Sequence, residues 1–394
     1  MHYAACAVPF QSMSVPVLLV STATRWYGTA RTPRALAKAG FDVTLLTPRN
    51  SLAERSRFVA RVAYLANDAT PIDWIHAVAA TVRAVSPVQV MPCDDVSFRL
   101  LAMLVLSPPP QLQPNLQAEL AKLVRASLGD PAHYRTSIDK TMMAPAAARA
   151  GVRVPAQSVV TSTGEALAFA RECPYPLVVK RPLATAGDDA RIVANEAELV
   201  EAVNARTAPE KEDLEPDSSG RAVVQQHIDG HLCYQNVAAW QGRMLAGFAG
   251  DRLQSHDAIA AGTVVRYRHA PALGETSQRF VQAFGMSGLF TSEYMIERDS
   301  GLAYLIEINR RISPATHYGA VLNVDLCAAL YAAINGTESR TRPSLDAGEE
   351  RVFVHFPGEW LRDPKSRWLR EYAVDVPWDD PGLLDAMLAL RREP

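Results

Sequence analysis

The sequence predicts an α/β domain of parallel strands, followed by a longer α+β region of antiparallel strands and helices. Three observations carry this. Val15-Pro-Val-Leu-Leu-Val-Ser21 is an unbroken apolar run, and a strand with no polar alternation is one buried on both faces, as in a parallel sheet. A short helical segment leads from it to a second strand, Phe41-Asp-Val-Thr-Leu-Leu-Thr47, which makes a βαβ unit. In the second half, strand-like runs are separated by turn residues, and two of them are spaced as a hairpin around Glu297-Arg-Asp-Ser-Gly301.

In order along the chain, Thr32-Pro33 has the form of an N-cap followed by proline at the first helical position, and the helix Arg34 to Ala39 stops at Gly40. The loop from Ser21 to Thr29 is not a GxGxxG, so the dinucleotide fingerprint is absent. A helix over Ile72 to Val85 and a strand over Val88 to Met91 continue the alternation. That strand ends at Pro92-Cys-Asp94-Asp95, where open α/β sheets collect ligands. Asp94 and Asp95 are open to substrate contact, but a helix cap is the preferred role for either. Ser107-Pro-Pro-Pro110 is a break, the residues from there to Ser127 suit a helix, and Gly129-Asp130-Pro131 punctuates again.

Asp139-Lys140 opens a helical run, Thr141 to Ala150, ended by Gly151. Val152 to Pro155 and Gln157 to Val160 are extended, Ser162 caps a helix, and Pro176 to Lys180 is a strand. The charged stretch Ala205 to Gly220 suits a solvated loop. Strands resume at Ala222–Gln226, Gln235–Trp240 and Met244–Phe248. The final part, a strand Glu350 to Pro357 and an aromatic, proline-rich segment, suits a cover over a substrate site or a subunit contact.

Bulk properties narrow the class. A chain of 394 residues predicts two or three domains. Hydrophobic content of 48% with 21% charged residues is that of a globular protein. A formal charge of −2 gives no reason to expect nucleic acid or an anionic membrane as a partner. Cys6, Cys93, Cys173, Cys233 and Cys327 are odd in number and contain no CxxC, which points to reduced thiols and a cytoplasmic setting. No stretch reaches the ~18 apolar residues of a membrane helix, and Met1 to Phe10 lack the features of a signal peptide.

The chemistry concentrates near the end of the second half. Tyr304-Leu-Ile-Glu307-Ile-Asn309-Arg310-Arg311 is a strand whose alternation puts Glu307, Asn309 and Arg311 on one face. The hairpin would set Glu293 beside Glu307 and Asn309. Two carboxylates and an amide oxygen form a hard donor set suited to Mg²⁺ carrying phosphates. Arg311 is placed to hold an anion beside it. The same residues also fit an ordinary hairpin with surface acids and a salt-bridged arginine. Lys180 ends an apolar strand and is followed by a small-residue loop containing Gly187, an arrangement that can clamp phosphates. A snorkelling lysine before a turn fits equally well.

Together these pieces resemble the ATP-grasp ligases. Asp139-Lys140, Gly151 to Pro155, Val179-Lys180 with the Gly187 loop, Gln225-Gln226-His227-Ile228-Asp229-Gly230, and Glu293…Glu307-Ile-Asn309-Arg310-Arg311 fall in that family's order. The resemblance runs from about Pro114 to Gly336. It implies a Rossmann-like pre-ATP-grasp domain over residues 1–113 and a two-subdomain ATP-grasp fold. The central subdomain would span 114–204, the metal-bearing subdomain 205–340, and a C-terminal extension 341–394.

By the same resemblance, ATP and Mg²⁺, with Mn²⁺ as an alternative, are the implied cofactors. Lys140 and Lys180 would contact phosphates, with Gly187 in the covering loop. Gln225, Gln226, Ile228 and Asp229 would lie at the adenine hinge, and Glu293, Glu307 and Asn309 would hold metal. Lys180 and Arg311 would act in catalysis, and Arg310 would serve phosphate. The family usually places an acid for ribose where Leu232 stands here, so either Asp229 or His231 takes over or ribose is held less firmly. Thr291 stands where several members carry an arginine, for which Arg252, Arg266 or Arg268 are substitutes. His256, His317 and Tyr318 are candidates for a general base, and Ser313 to Tyr318 would line the substrate pocket.

The implied reaction is activation of a carboxylate as an acyl phosphate and its coupling to an amine. Amino acids or small peptides are the expected substrates, and a homodimer is a further expectation. A carboxylase or nucleotide-precursor ligase, or a non-catalytic nucleotide-binding protein, are the alternatives.

Overall fold

The computed structural model describes residues 15–183, 190–208, 220–256 and 261–391. Strands β1 (Val15–Val20), β2 (Phe41–Pro48), β3 (Arg61–Leu65) and β4 (Gln89–Pro92) form a parallel sheet in the order β3-β2-β1-β4. The apolar run of β1 has a direct cause. Leu18 and Val20 pack with Trp74, Ile75, Phe98 and Leu101 of the helices Pro71–Val85 and Asp95–Leu106. Val17 and Leu19 enter a second core shared with Leu36, Leu330, Phe248 and Tyr267. From Val17 to Val20 both faces of the strand are buried, which is why its sequence shows no polar alternation there.

The first helix spans Thr32–Ala39, and its N-cap is Arg31 rather than the expected Thr32. The chain arrives through a 3-10 turn over Tyr27–Thr29 that leaves Arg31 already in helical dihedrals. Thr32 and Pro33 therefore occupy the first two helical positions, where proline's missing N–H is harmless. Gly40 ends the helix at φ 109°, a left-handed conformation suited to glycine.

Strands β5 (Gln157–Val160), β6 (Leu177–Lys180), β7 (Arg191–Val193) and β8 (Ala222–Gln226) make a small antiparallel sheet in the order β5-β8-β6-β7. Helices Thr163–Glu172 and Glu196–Thr207 cover it, burying Ala166, Leu199 and Val203 against Leu177, Val179 and Val224. The second of these helices takes Ala205 to Thr207 out of the expected loop, and residues 209–219 of that loop lie outside the described residues. Val152 to Pro155 forms no strand, although Arg153 O accepts from Leu305 N–H at 2.9 Å.

The third sheet has seven strands: β9 (Gly230–Trp240), β10 (Arg243–Ser255), β11 (Gly262–Arg268), β12 (Gly288–Glu297), β13 (Ala303–Asn309), β14 (Glu350–Val354) and β15 (Ala373–Val374). Their order is β13-β12-β9-β10-β11-β14-β15, antiparallel except between β14 and β15. One face packs on the helices Lys140–Arg149 and Pro271–Ala283 through Met143, Phe280 and Phe290. Residues 341–394, expected as an extension, supply β14 and β15 to this sheet and a helix, Pro381–Ala389, to the core under β1. Asp375 there pairs with Arg31 at 2.9 Å, and Asp380 accepts from Arg57 N–H at 3.0 Å, so the C-terminal segment is tied to the first domain. Among the described residues no helix is long and apolar enough to cross a membrane.

Candidate active site

Glu293 on β12 and Glu307 on β13 are direct cross-strand partners, and Thr291 faces Asn309. The turn between the strands closes through Gly301 N–H to Glu297 O at 2.9 Å. Asn309 Nδ2 donates to Glu293 Oε1 at 2.9 Å, and Lys140 Nζ lies 3.0 Å from Glu307 Oε1. Lys140 reaches this point because Asp139 caps its helix, accepting from Thr141 N–H at 2.8 Å and fixing the first turn. Burial first, and then the like charge of Glu307, hold the Glu293 carboxyl well above the ordinary carboxylate range.

Glu293, Glu307, Asn309 and Arg311 line one cavity of about 270 Å³. Arg311 is tethered within it, its Nε donating to Asp95 Oδ2 at 3.0 Å and its Nη2 lying 3.5 Å from Asn309 Oδ1. Capping was the preferred role for both aspartates, and only Asp94 caps. It accepts from Ser97 N–H at 2.8 Å and from Thr22 N–H at 2.7 Å, tying the loop after β1 to the next helix. Asp95, one residue on, turns to Arg311. The first domain therefore contributes a carboxylate to the site, a role that spacing along the chain does not reveal.

On the other side, Lys180 Nζ donates to Gln225 Oε1 at 2.9 Å. Gln225 Nε2 donates to Gln157 Oε1 at 3.0 Å, and Gln157 Nε2 to Lys140 O at 2.9 Å, so a line of amides connects the two lysines. Burial, followed by the neighbouring charge of Lys140, pulls the Lys180 ammonium down to about 8. Gln226 Oε1 accepts from Ala156 N–H at 3.3 Å, and Ile228 is buried. Residues 227–229 join β8 of the small sheet to β9 of the large one. Asp229 is an exposed side chain paired with Arg298 through two bonds of 3.1 Å. His231, its alternative for ribose, faces Asp251 at 3.2 Å. Gly187 lies outside the described residues.

Known proteins resemble this chain in fold and in part of its sequence. The family model "Carbamoyl-phosphate synthase L chain, ATP binding domain" matches residues 139–230. The carbamoyl phosphate synthase large chain of Xylella fastidiosa is 25% identical over 175 residues, covering 41% of this chain and 16% of its own length. The chain thus spans about a sixth of the curated relatives it matches. The biotin carboxylase domain of Hydrogenobacter thermophilus 2-oxoglutarate carboxylase, with MgADP and bicarbonate, superposes with a TM-score of 0.63 at 18% identity over 86% of this chain and 73% of its own. The L-amino acid ligase of Bacillus licheniformis gives a TM-score of 0.58 at 18% identity over 86% and 80%. The chain has the ATP-grasp fold.

Within that ATP-grasp fold several side chains depart from expectation. Arg310, expected to serve phosphate, is buried: its Nη1 donates to Ser137 Oγ at 3.0 Å and its Nη2 to Leu128 O at 2.6 Å, with Phe98 under the guanidinium at 5.1 Å. Burial lowers it to about 10. It seals the strand end against the first domain and does not face the cavity lining. Arg266 and Arg268, suggested as replacements for an arginine at Thr291, both bind Asp251. Burial would raise that carboxyl, but the bonds from Arg268 and Arg266 override it and hold it at about 2. Thr291 Oγ1 donates to Asn236 Oδ1 at 3.1 Å, and Leu232 lines the cavity.

Of the general-base candidates, His256 lines the cavity, whereas His317 and Tyr318 are buried behind it, with His317 Nε2 on Asp375 Oδ2 at 2.6 Å. Ser313, Pro314 and Ala315 also line it. Trp26, Tyr27, Tyr234 and Asn236 are lining residues that sequence reasoning missed. For Trp26 and Tyr27 a signal existed, since both follow the carboxyl end of the first strand.

The residues present fit a divalent cation. Among the described residues no group of three or more His, Cys, Asp or Glu is placed for a metal. A cation here would rest on the two carboxylates, the amide oxygen of Asn309 after rotation of its amide, and nucleotide phosphates. The upward shift of the Glu293 carboxyl is consistent with this, because two like-charged carboxylates set side by side are what a cation between them would stabilise.

Proposed function

We propose that the chain is an ATP-dependent carboxylate–amine ligase acting on small molecules, with an amino acid or small peptide among its substrates. The observation that carries this is the juxtaposition of Glu293 and Glu307 with Lys140 at 3.0 Å and a tethered Arg311 in one cavity. Mg²⁺ held by Glu293, Glu307 and Asn309 would neutralise charge on the β- and γ-phosphates. Lys140 and Lys180 bind phosphate oxygens of the nucleotide, and Arg311 orients the substrate carboxylate. A carboxylate oxygen attacks the γ-phosphorus, the bond to the ADP oxygen breaks, and an acyl phosphate forms. The amine then attacks the acyl carbon, loses a proton, and inorganic phosphate departs. Holding the partners in place supplies up to ~7–11 kcal/mol of such a barrier, and closure of the cavity protects the acyl phosphate from water.

A second reading, carboxylation of an acceptor through bicarbonate, is supported by the equally good superposition on the biotin carboxylase domain, whose structure contains bicarbonate. The test is ADP and phosphate release from Mg·ATP across pairs of acids and amines, and with bicarbonate, with mass spectrometry of products. Release that needs an acid and an amine, with an amide product, supports ligation. Release that needs bicarbonate, with a product heavier by CO₂, moves the assignment to a carboxylase. A homodimer belongs to the same proposal and is tested by sedimentation.

A further inference from the structure

Away from the carboxylate pair the cavity changes character. Trp26 and Tyr27 enter from the loop after β1, Tyr234 from β9, Tyr267 from β11, and His355 and Pro314 complete that part of the wall. Apart from His256 and His355, the charged side chains lining the cavity are Glu293, Glu307 and Arg311, all clustered on the β12–β13 hairpin and its exit. Among the described lining residues, a second charged group on a bound acid would find no lysine, arginine or carboxylate away from that cluster, and burying an unpaired charge is costly. The aromatic wall instead rewards a flat apolar body. At about 270 Å³ the space lies at the small end of ligand pockets, ~300–1,000 Å³.

One buried polar group in this lining is left unpartnered. Asn236 is 1% exposed and lines this cavity. Its Oδ1 accepts from Thr291 Oγ1 at 3.1 Å and from Ser313 Oγ at 2.6 Å, while its Nδ2 has no partner among the described residues. Leaving such a buried donor unmet is unfavourable, and a neutral acceptor oxygen on the ligand would satisfy it.

We propose that the acid taken by this site directs its carboxylate to Arg311 and places an uncharged aromatic or bulky apolar body against Trp26, Tyr27 and Tyr234. That such an acid is then activated rests on the ligase reading; that it binds does not.

The experiment is calorimetric titration of the protein, in saturating Mg·ADP, with 3-phenylpropanoate, propanoate, glutarate and 5-aminopentanoate. Expected is binding of 3-phenylpropanoate about tenfold or more tighter than each of the others. Trp26→Ala should reduce its advantage over propanoate to about threefold or less, and Trp26→Phe should keep it. Unaltered Mg·ADP affinity in both variants shows that they are folded. Equal or tighter binding of glutarate or 5-aminopentanoate overturns the proposal, as does an advantage unchanged by Trp26→Ala, or no binding of any acid. Preferred binding of 3-phenylpropanoate with no ADP release from ATP by any acid and amine would leave this proposal standing and remove the ligase reading. ADP release driven by charged acids alone would do the reverse.

Discussion

Lys140 and Glu307 meet at 3.0 Å although one opens a helix that packs on the face of the large sheet and the other lies on that sheet's edge strand, far along the chain. Both are largely withdrawn from solvent, with side-chain exposures of 9% and 21%. The contact joins the side of the site proposed for phosphate to the side proposed for metal. A γ-phosphate bound between them would have a cation on one flank and carboxylates bridged by metal on the other.

From this follows the effect of Glu307→Gln. The amide keeps the shape and can still meet Lys140, but it removes one of two metal-binding carboxylates. Turnover of Mg·ATP should fall by about 10²-fold or more. The melting temperature should stay within about 4 °C, since the loss of one partner of Glu293 also relieves repulsion. Steady-state ADP release and a thermal melt measure both, and unchanged turnover would remove Glu307 from the metal site.

Arg311 and Asp95 give a second prediction. Arg311→Met should raise the KM for the carboxylate substrate by about 10²-fold with the KM for ATP little changed, because a charge-assisted grip on the acid is lost. Asp95→Asn should give a smaller loss, about tenfold, because Arg311 remains but its Nε meets a neutral amide oxygen in place of a carboxylate. The double variant should resemble Arg311→Met alone, since Asp95 acts through Arg311. Additive losses would show that Asp95 has a role of its own.

The hairpin could be placed from residue spacing because strand alternation and a tight turn are local rules, and Glu293, Glu307 and Asn309 lie on two adjacent strands. The first βαβ unit was legible for the same reason. Contacts made across the fold were not: Asp95 with Arg311, Lys140 with Glu307, and the buried role of Arg310 depend on how separate sheets dock. Another such contact is Asp229 with Arg298, which stands on the turn between β12 and β13. The seven-stranded sheet was underestimated because β14 and β15 join it only after the chain has left it for a further helical segment.

Gln225 supports a third prediction. It is 4% exposed and bridges Lys180 to Gln157. Gln225→Ala leaves the buried ammonium without its acceptor and should cost about 1–3 kcal/mol of stability. The same change frees Lys180 from a fixed orientation, so the KM for ATP should rise while the KM for the acid stays near its original value. Denaturant melts and separate substrate titrations distinguish the two effects; a KM shift confined to the acid would contradict the placement of Lys180 on the nucleotide side.

His355 supplies the pH prediction. It is 7% exposed, its Nε2 is 3.1 Å from Tyr267 Oη, and it packs near Tyr318, His317 and Asp375. Burial lowers it from the ordinary 6.5 to about 4, against the pull of Asp375 and with a smaller push from His317. Between these values the unfolded chain binds a proton that the folded chain refuses, so stability rises with pH across the window. The contribution is complete above pH 6.5 and disappears as pH falls to about 4. Its size is at most about 3 kcal/mol. His317, also lowered chiefly by burial, adds a change of the same sign. His355→Gln cannot titrate, so its melting temperature should fall less between pH 7 and pH 5 than that of the parent protein, whatever its stability at pH 7. Parallel pH dependences in the two proteins would mean that His355 carries its proton in the fold as readily as in the unfolded chain, and that the aromatic wall around it is open to water.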